Sequence, residues 1–179
     1  MKIMTAAEAV QLINSGESIY IQGSTSIPEV LSQALADRGA ELKDVTIYAA
    51  FAVGRCEAPY CKPEYKDSFN VKSLFVANNI RKWLAAGYGS TIPAFLGEIP
   101  GLFRDGTLPL DAVFLNVSPP NAEGYCSFGV SADLAVSATE CAKKVIVQVN
   151  KAMPFSYGDA LIHVSRIDAA IEVDDPPVE

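Results

Sequence analysis

Two short stretches of this chain set a glycine beside hydroxyls. "GSTSIPEVL" places Gly23, Ser24 and Thr25 ahead of Pro28, and "YGSTIPAF" places Gly89, Ser90 and Thr91 ahead of Pro93. Glycine lets backbone approach a ligand closely. Hydroxyls next to the free N–H groups of a helix start suit a phosphate or a carboxylate. One such stretch reads more readily as an ordinary capped βα turn, whereas two in one chain raise the case for a shared anion or acyl pocket. A third stretch, "SPPNAEGYCSFG" (118–129), carries Ser118, Pro119, Pro120, Gly124 and Tyr125 with a single charge, Glu123. Its prolines fix φ and reduce the entropy of the unfolded chain, and its glycines admit close backbone approach, so it reads as a preformed turn.

The nucleophile candidates are weaker. Serine–histidine catalysis would need His163, the sole histidine, which lies in the apolar run "LIHVS" and reads as a hydrogen-bonded structural residue. No GxSxG elbow is present. Cys126 would need a neighbouring base, and none is signalled. Glu123 and Glu57 read as solvated loop acids, and Arg55 and Lys62 as surface cations able to meet a ligand carboxylate or phosphate. GxGxxG and GxxxxGK[ST] are both missing, which removes the Rossmann and P-loop readings. The four cysteines, Cys56, Cys61, Cys126 and Cys141, form no CxxC pair, so no metal site is expected.

Apolar runs alternating with helical patterns must position these residues. Thr5 with Glu8 has the form of a capping box, opening a short amphipathic helix that stops near Gly16. "SIYIQG" (18–23) reads as a strand, followed by a helix from Pro28 to the region of Gly39. "DVTIYAAFAVG" (44–54), "VKSLFVA" (71–77), "DAVFLNV" (111–117) and "KKVIVQVN" (143–150) read as further strands, with "DALIHVS" and "DAAIEV" as short ones near the end. "NNIRKWLAAG" and "ADLAVSATECA" read as helices, 88–106 as turn-rich with one or two short helices, and 55–70 as an aperiodic excursion. The alternation predicts an α/β domain with a mainly parallel sheet flanked by helices. In such sheets ligands bind at the carboxyl ends of the strands, where all three stretches are expected. "DDPPVE" reads as the start of a linker, giving a domain over 1–173 and a linker from 174 to 179.

With 179 residues the chain fits one domain. Half of its residues are hydrophobic, 20% are charged, and the formal net charge is -7. That balance argues against nucleic acid as a partner, since phosphate-backbone binding needs clustered Lys and Arg. No apolar run approaches the length of a membrane span, and no secretory leader is visible, so a cytoplasmic protein with reduced cysteines is expected.

Longer motifs carry a resemblance. "SPPNAEGYCSFGVS" (118–131), "AKKVIVQVNKAMPFSYGD" (142–159) and "IHVSRID" (162–168), with weaker support from 90–111 and 23–31, resemble the N-terminal half of the acetyl-CoA hydrolase/transferase family. Within it the likeness is to 4-hydroxybutyrate and butyryl-CoA:acetate CoA-transferases, and it covers essentially the whole chain. The resemblance implies the CoA-transferase (NagB/RpiA-like) fold and a two-domain enzyme with its active site between the halves. There a glutamate attacks an acyl-CoA, and CoA then passes to a short-chain carboxylate such as 4-hydroxybutyrate, butyrate or acetate. That glutamate belongs to the second half, in a GIGxxP-type segment that this chain does not reach. Glu123 and Gly124 resemble the ENG glutamate motif of related CoA-transferases only superficially, because they stand in an AEG context and in the other half.

The resemblance therefore implies a non-catalytic wall of the CoA cleft, built from Gly23, Ser24, Thr25, Ser90, Thr91, Ser118, Pro119, Pro120, Gly124 and Tyr125. Coenzyme A or acyl-CoA would be its substrate, with no covalently bound cofactor. Its partners would be a C-terminal catalytic domain or separate subunit, the two substrates, and further copies in a homo-oligomer. The lone chain is expected to be inactive. The alternatives are a stand-alone CoA- or nucleotide-binding module, a non-catalytic subunit pairing with a catalytic half, and a small hydrolase using Cys126 or a serine–His163 pair.

Overall fold

The computed structural model describes residues 1–51 and 58–176. In chain order it contains β1 (Lys2–Ile3), α1 (Ala6–Ala9), β2 (Ser18–Ile21), α2 (Glu29–Asp37), β3 (Val45–Ala49), β4 (Phe69–Ser73), α3 (Asn78–Ala85) and β5 (Ser90–Thr91). These are followed by α4 (Ile99–Arg104), β6 (Ala112–Val117), β7 (Tyr125–Ser127), α5 (Ala135–Cys141), β8 (Lys144–Asn150), β9 (Leu161–His163) and β10 (Ala169–Val173). Eight strands form one sheet in the order β1-β10-β8-β6-β2-β3-β4-β5, and every pairing in it is parallel. β7 and β9 pair antiparallel in a separate two-stranded sheet.

The strands read as apolar runs because both faces of the sheet are covered. Every residue of β2 and β6 is buried. On one face Ile19, Ile21, Ile47, Phe114 and Ile146 pack with Leu31 and Leu35 of α2 and Ile80 of α3. On the other, Tyr20, Val113, Leu115, Val145 and Val147 pack with Ile99 and Phe103 of α4 and with Leu134 and Ala138. From β2 the chain steps outward through β3, β4 and β5. From β6 it steps the opposite way through β8 and β10. Right-handed crossovers moving in opposite directions put their helices on opposite faces, which is the observed split.

The N-terminal capping box is present: Glu8 N–H donates to Thr5 Oγ1 at 3.2 Å and Thr5 N–H to Glu8 Oε2 at 2.8 Å. The helix it opens narrows to a 3₁₀ turn, Val10–Leu12, before Gly16. α2 has no side-chain cap of its own. Gln148, on β8, supplies one, accepting from Val30 N–H at 3.2 Å.

Two strands end sooner than their composition suggests. β4 stops at Ser73, whose hydroxyl donates to Phe75 O at 2.8 Å and turns the chain out of the sheet. β3 stops at Ala49; the rest of the apolar run, with Arg55, Cys56 and Glu57, lies largely outside the described residues. "LIHVS" contributes to the small sheet, because it pairs with the turn after β6. Beyond β10, Asn150 holds Asp175 through both main-chain groups, donating to its carbonyl at 2.7 Å and accepting from its N–H at 3.1 Å.

At the amino edge of the sheet, carboxylates meet the free N–H groups of strand starts. Asp111 accepts from Ser18 N–H at 2.9 Å and pairs with Lys143 at 2.8 Å. Asp168 accepts from Val145 N–H at 2.8 Å. Glu17 pairs with Lys144 at 2.6 Å. Among the described residues no helix is long and apolar enough to cross a membrane.

Candidate functional site

β2 and β6 are neighbours, and the chain leaves them in opposite directions. That boundary is the switch point of the sheet, where two loops diverge at the carboxyl edge and leave a crevice. Residues 23–25 follow β2 and residues 118–125 follow β6, so the topology brings two of the three expected stretches to one place.

The first turn is held against β3. Ser24 N–H donates to Phe51 O at 2.6 Å, with Ser24 in the left-handed region at φ 58. Gly23 is buried there, and a Cβ on it would stand 2.6 Å from Phe51 O and 3.0 Å from Ala50 Cβ. Ser24 and Thr25 are half-buried. Ser26 is fully buried, and its hydroxyl has no hydrogen-bond partner among the described residues.

The loop after β6 is closed by its own bonds. Ser118 N–H donates to Ser127 O at 2.9 Å, and Ser127 N–H returns a bond to Ser118 Oγ at 2.9 Å. Asn121 Oδ1 accepts from Glu123 N–H at 3.0 Å and from Tyr125 N–H at 2.9 Å. Gly124 turns at φ +82, and a Cβ there would lie 2.8 Å from His163 Nε2. The Tyr125 and His163 rings meet edge-on with centroids 5.0 Å apart. Pro119, Pro120 and Tyr125 are thus presented on the surface, while the Ser118 hydroxyl is buried and engaged within the loop.

Gln22, which no sequence motif marks, ties the end of β2 to β6 and to the chain beyond β7. Fully buried at the end of β2, it accepts from Asn116 N–H at 2.7 Å and donates to Ser131 O at 2.7 Å. Asn116, Gln148 and Asn150 continue a row of buried amides along this edge, and Asn116 Oδ1 has no partner among the described residues. No sequence pattern marks this row.

Ser90 and Thr91 lie further out. They are exposed and pair with Lys72 and Ser73 at the sheet edge, three strands from β2, or roughly 14 Å at about 4.8 Å per strand. The segment that follows them runs back toward the crevice. There Ala94, Phe95, Leu96 and Ile99 join Ala50, Phe51, Leu74, Phe75, Asp133 and Leu134 around an apolar cavity of about 340 Å³.

The reactive candidates fare differently. His163 Nδ1 accepts from Ser165 N–H at 3.3 Å and lies 2.8 Å from Ser165 Oγ, a contact that caps the turn Val164–Arg166. Burial pushes the Cys126 thiol up to about 11, so it is protonated and a poor nucleophile at neutral pH. Glu123 is exposed, and Lys62 lies on a separate groove with Val30, Gln33 and Trp83. Among the described residues no group of three or more His, Cys, Asp or Glu is placed to hold a metal.

An open, all-parallel eight-stranded sheet flanked by helices, with two preformed loops diverging at its switch point, defines an α/β domain. Comparison with known proteins then settles the family: the chain belongs to the acetyl-CoA hydrolase/transferase N-terminal domain family, matched over residues 1–179. It is 36% identical to the 4-hydroxybutyrate coenzyme A transferase of Clostridium kluyveri, over 99% of this chain and 41% of that protein. With the butyryl-CoA:acetate CoA-transferase of Anaerostipes caccae the identity is 30%, over 99% of this chain and 40% of that one. The crystal structure of a 4-hydroxybutyrate CoA-transferase from Porphyromonas gingivalis superposes with a TM-score of 0.83 at 34% identity, covering 99% of this chain and 41% of that chain. The chain therefore spans about two fifths of the length of the curated relatives it matches.

Proposed function

We propose that this chain is the N-terminal part of a CoA-transferase that moves CoA between an acyl-CoA and a short-chain carboxylate. The observation that carries the reading is the placement of residues 23–25 and 118–125 on either side of the switch point, where Gln22 bonds to β6 and to Ser131 beyond the second loop. Their role is to form one wall of the substrate cleft. Gly23, Ser24, Thr25, Pro119, Pro120, Gly124 and Tyr125 shape that wall, and Ser118 locks its second loop.

The reaction needs a desolvated carboxylate to attack the thioester carbonyl, with CoA thiolate leaving. The family resemblance implies that this carboxylate is a glutamate in the part of the relatives that this chain does not span; in this chain Cys126 is protonated and His163 caps its own turn. The wall's contribution is then rigid positioning, which converts binding energy into orientation.

Calorimetry with CoA and butyryl-CoA, alongside a CoA-transfer assay from butyryl-CoA to acetate, tests the reading. Binding to this chain, with transfer only when the C-terminal part is present, is the expected result. Robust turnover by residues 1–179 alone would overturn the division of labour. No binding of any CoA species by the full-length gene product would overturn the cleft assignment.

A further inference from the structure

Gln22 stands where the chain leaves β2, and its side chain takes the place of a strand. The main-chain ladder between β2 and β6 ends with Gln22 N–H donating to Phe114 O at 3.0 Å. In a parallel pair the next rung would run from Asn116 N–H to a main-chain carbonyl. Here Gln22 Oε1 takes that bond instead, at 2.7 Å. The backbone is thereby released from the sheet, and the turn 23–25 starts at the next residue.

The other end of the same side chain donates from Nε2 to Ser131 O at 2.7 Å and to Phe128 O at 3.4 Å. Between Asn116 and these two carbonyls lies the second loop, which is closed on itself. Ser118 and Ser127 exchange two bonds, Asn121 N–H donates to Tyr125 O at 2.8 Å, and Gly129 N–H donates to Ser127 Oγ at 2.9 Å. A loop closed in this way turns as one body about its stems, and one fully buried amide holds both stems. β9 tethers the loop on its outer side, through the pairing of Tyr125 with His163, while Gln22 ties it to the strand that carries the first turn. The residue type follows from the bonds. The position asks for one acceptor and two donors away from water, which a primary amide supplies and neither a carboxylate nor an apolar group of the same size does.

Resting on the CoA-transferase reading, we propose that Gln22 is a positioning residue for the transfer reaction: it fixes the separation and relative angle of the two cleft loops, so that a thioester held between them is presented to the attacking carboxylate in reactive geometry. It acts through the loops and touches no substrate. Misplacing a reacting group by about 1 Å costs about a hundredfold in rate, so an anchor shared by both loops controls turnover more than binding.

The test is a CoA-transfer assay from butyryl-CoA to acetate on the full-length gene product. Wild type, Gln22→Met, Gln22→Glu and Asp168→Ala are compared at a temperature where urea unfolding shows each to be folded, and the amide resonances of residues 118–125 are followed by NMR. Gln22→Met keeps the size and removes the side-chain bonds, so kcat should fall about ten- to a hundredfold, with the KM for butyryl-CoA changed by less than about threefold, and the loop amides should shift. Gln22→Glu keeps the bond from Asn116 N–H but turns a carboxyl group toward two carbonyls; it should show a smaller loss of the same kind, and it carries the test if Gln22→Met does not fold. Asp168→Ala removes the acceptor for Val145 N–H at the opposite rim, and should lose stability while kcat stays at the wild-type value. Unchanged kcat or unmoved loop amides in a folded Gln22 variant, or an equal loss of kcat in Asp168→Ala, would overturn the positioning role and leave the transferase reading intact. Collapse of both Gln22 variants would make the residue a requirement of the fold and overturn the role too. If wild type itself transfers no CoA, the transferase reading fails, and with it the role of Gln22 in the reaction.

Discussion

Replacing Gly23 by alanine tests whether the turn after β2 is as closely packed as its geometry indicates. The added Cβ would stand 2.6 Å from the Phe51 carbonyl oxygen and 3.0 Å from Ala50 Cβ. The first obstacle is backbone, so no side chain can rotate away, and β3 or the turn must move by about half an ångström. Overpacking of this kind costs about 1–3 kcal/mol. The same oxygen accepts the 2.6 Å bond from Ser24 N–H, and weakening that bond adds about 1 kcal/mol. The expected loss is about 2–4 kcal/mol. For a chain of this size it corresponds to a fall of roughly 5–15 °C in Tm. Urea unfolding of Gly23→Ala beside wild type reads it directly. Gly101→Ala serves as the control: it lies in α4 with nothing within 4 Å of its would-be Cβ, and should gain up to about 1 kcal/mol from helix propensity. Since Gly23 belongs to the proposed cleft wall, CoA affinity should drop in Gly23→Ala and not in Gly101→Ala. A change in stability below about 0.5 kcal/mol for Gly23→Ala would refute the close-packing reasoning.

Three further outcomes follow from the packing and the charges. Gln148→Met keeps the volume but removes the acceptor for Val30 N–H, so it should cost about 1 kcal/mol and speed amide exchange at Val30; unchanged exchange there would show that α2 is capped otherwise. Acid should weaken the fold through Glu17 and Asp111. Partial burial raises both carboxyl pKa values, but hydrogen bonds from Lys144 and Asn14 to Glu17, and from Lys143 and Ser18 to Asp111, outweigh it and hold both below their ordinary 4.5 and 3.8. A depressed native pKa gives stability that is full above the unfolded value and lost as pH falls through the native one. The urea midpoint should accordingly hold from pH 7 to about 5 and decline below about 4.5. Lys143→Met with Lys144→Met should flatten the decline, and an unchanged acid slope in that pair would refute it. Finally, with its pKa at about 11, Cys126 should be roughly a thousandth ionised at pH 8 and resist iodoacetamide in the native state, whereas labelling of Cys126 as fast as the partly exposed Cys141 would contradict its burial.

The sheet is legible in the sequence because β2, β3, β4, β6, β8 and β10 are covered on one or both faces and so announce themselves as apolar runs. β1 and β5 are two residues long and β7 is three, too short for any period to register. The overlong reading of β4 comes from counting Phe75 and Val76 as core, when the chain turns at Ser73 and leaves both exposed. The glycine and hydroxyl turns are visible as composition. Their meeting at a switch point is not, since strand order is a long-range property. Gln22 and Gln148 give no sequence signal of their role because their partners lie 94 to 118 residues away, and a lone amide carries no pattern. The apolar cavity draws Phe51, Phe75 and Phe95 from three separate segments, none of which is periodic.

The two rims of the sheet are built from different materials. Carboxylates and lysines staple the amino rim, whereas the carboxyl rim is held by amides, hydroxyls and peptide groups. Salt and acid therefore act on the floor of the domain and leave the ceiling, where ligands land, largely indifferent to both. The loops of the ceiling can be rewritten by substitution without rebalancing the charges that keep the floor shut, so a chassis of this kind can change what it carries while its foundation stays the same.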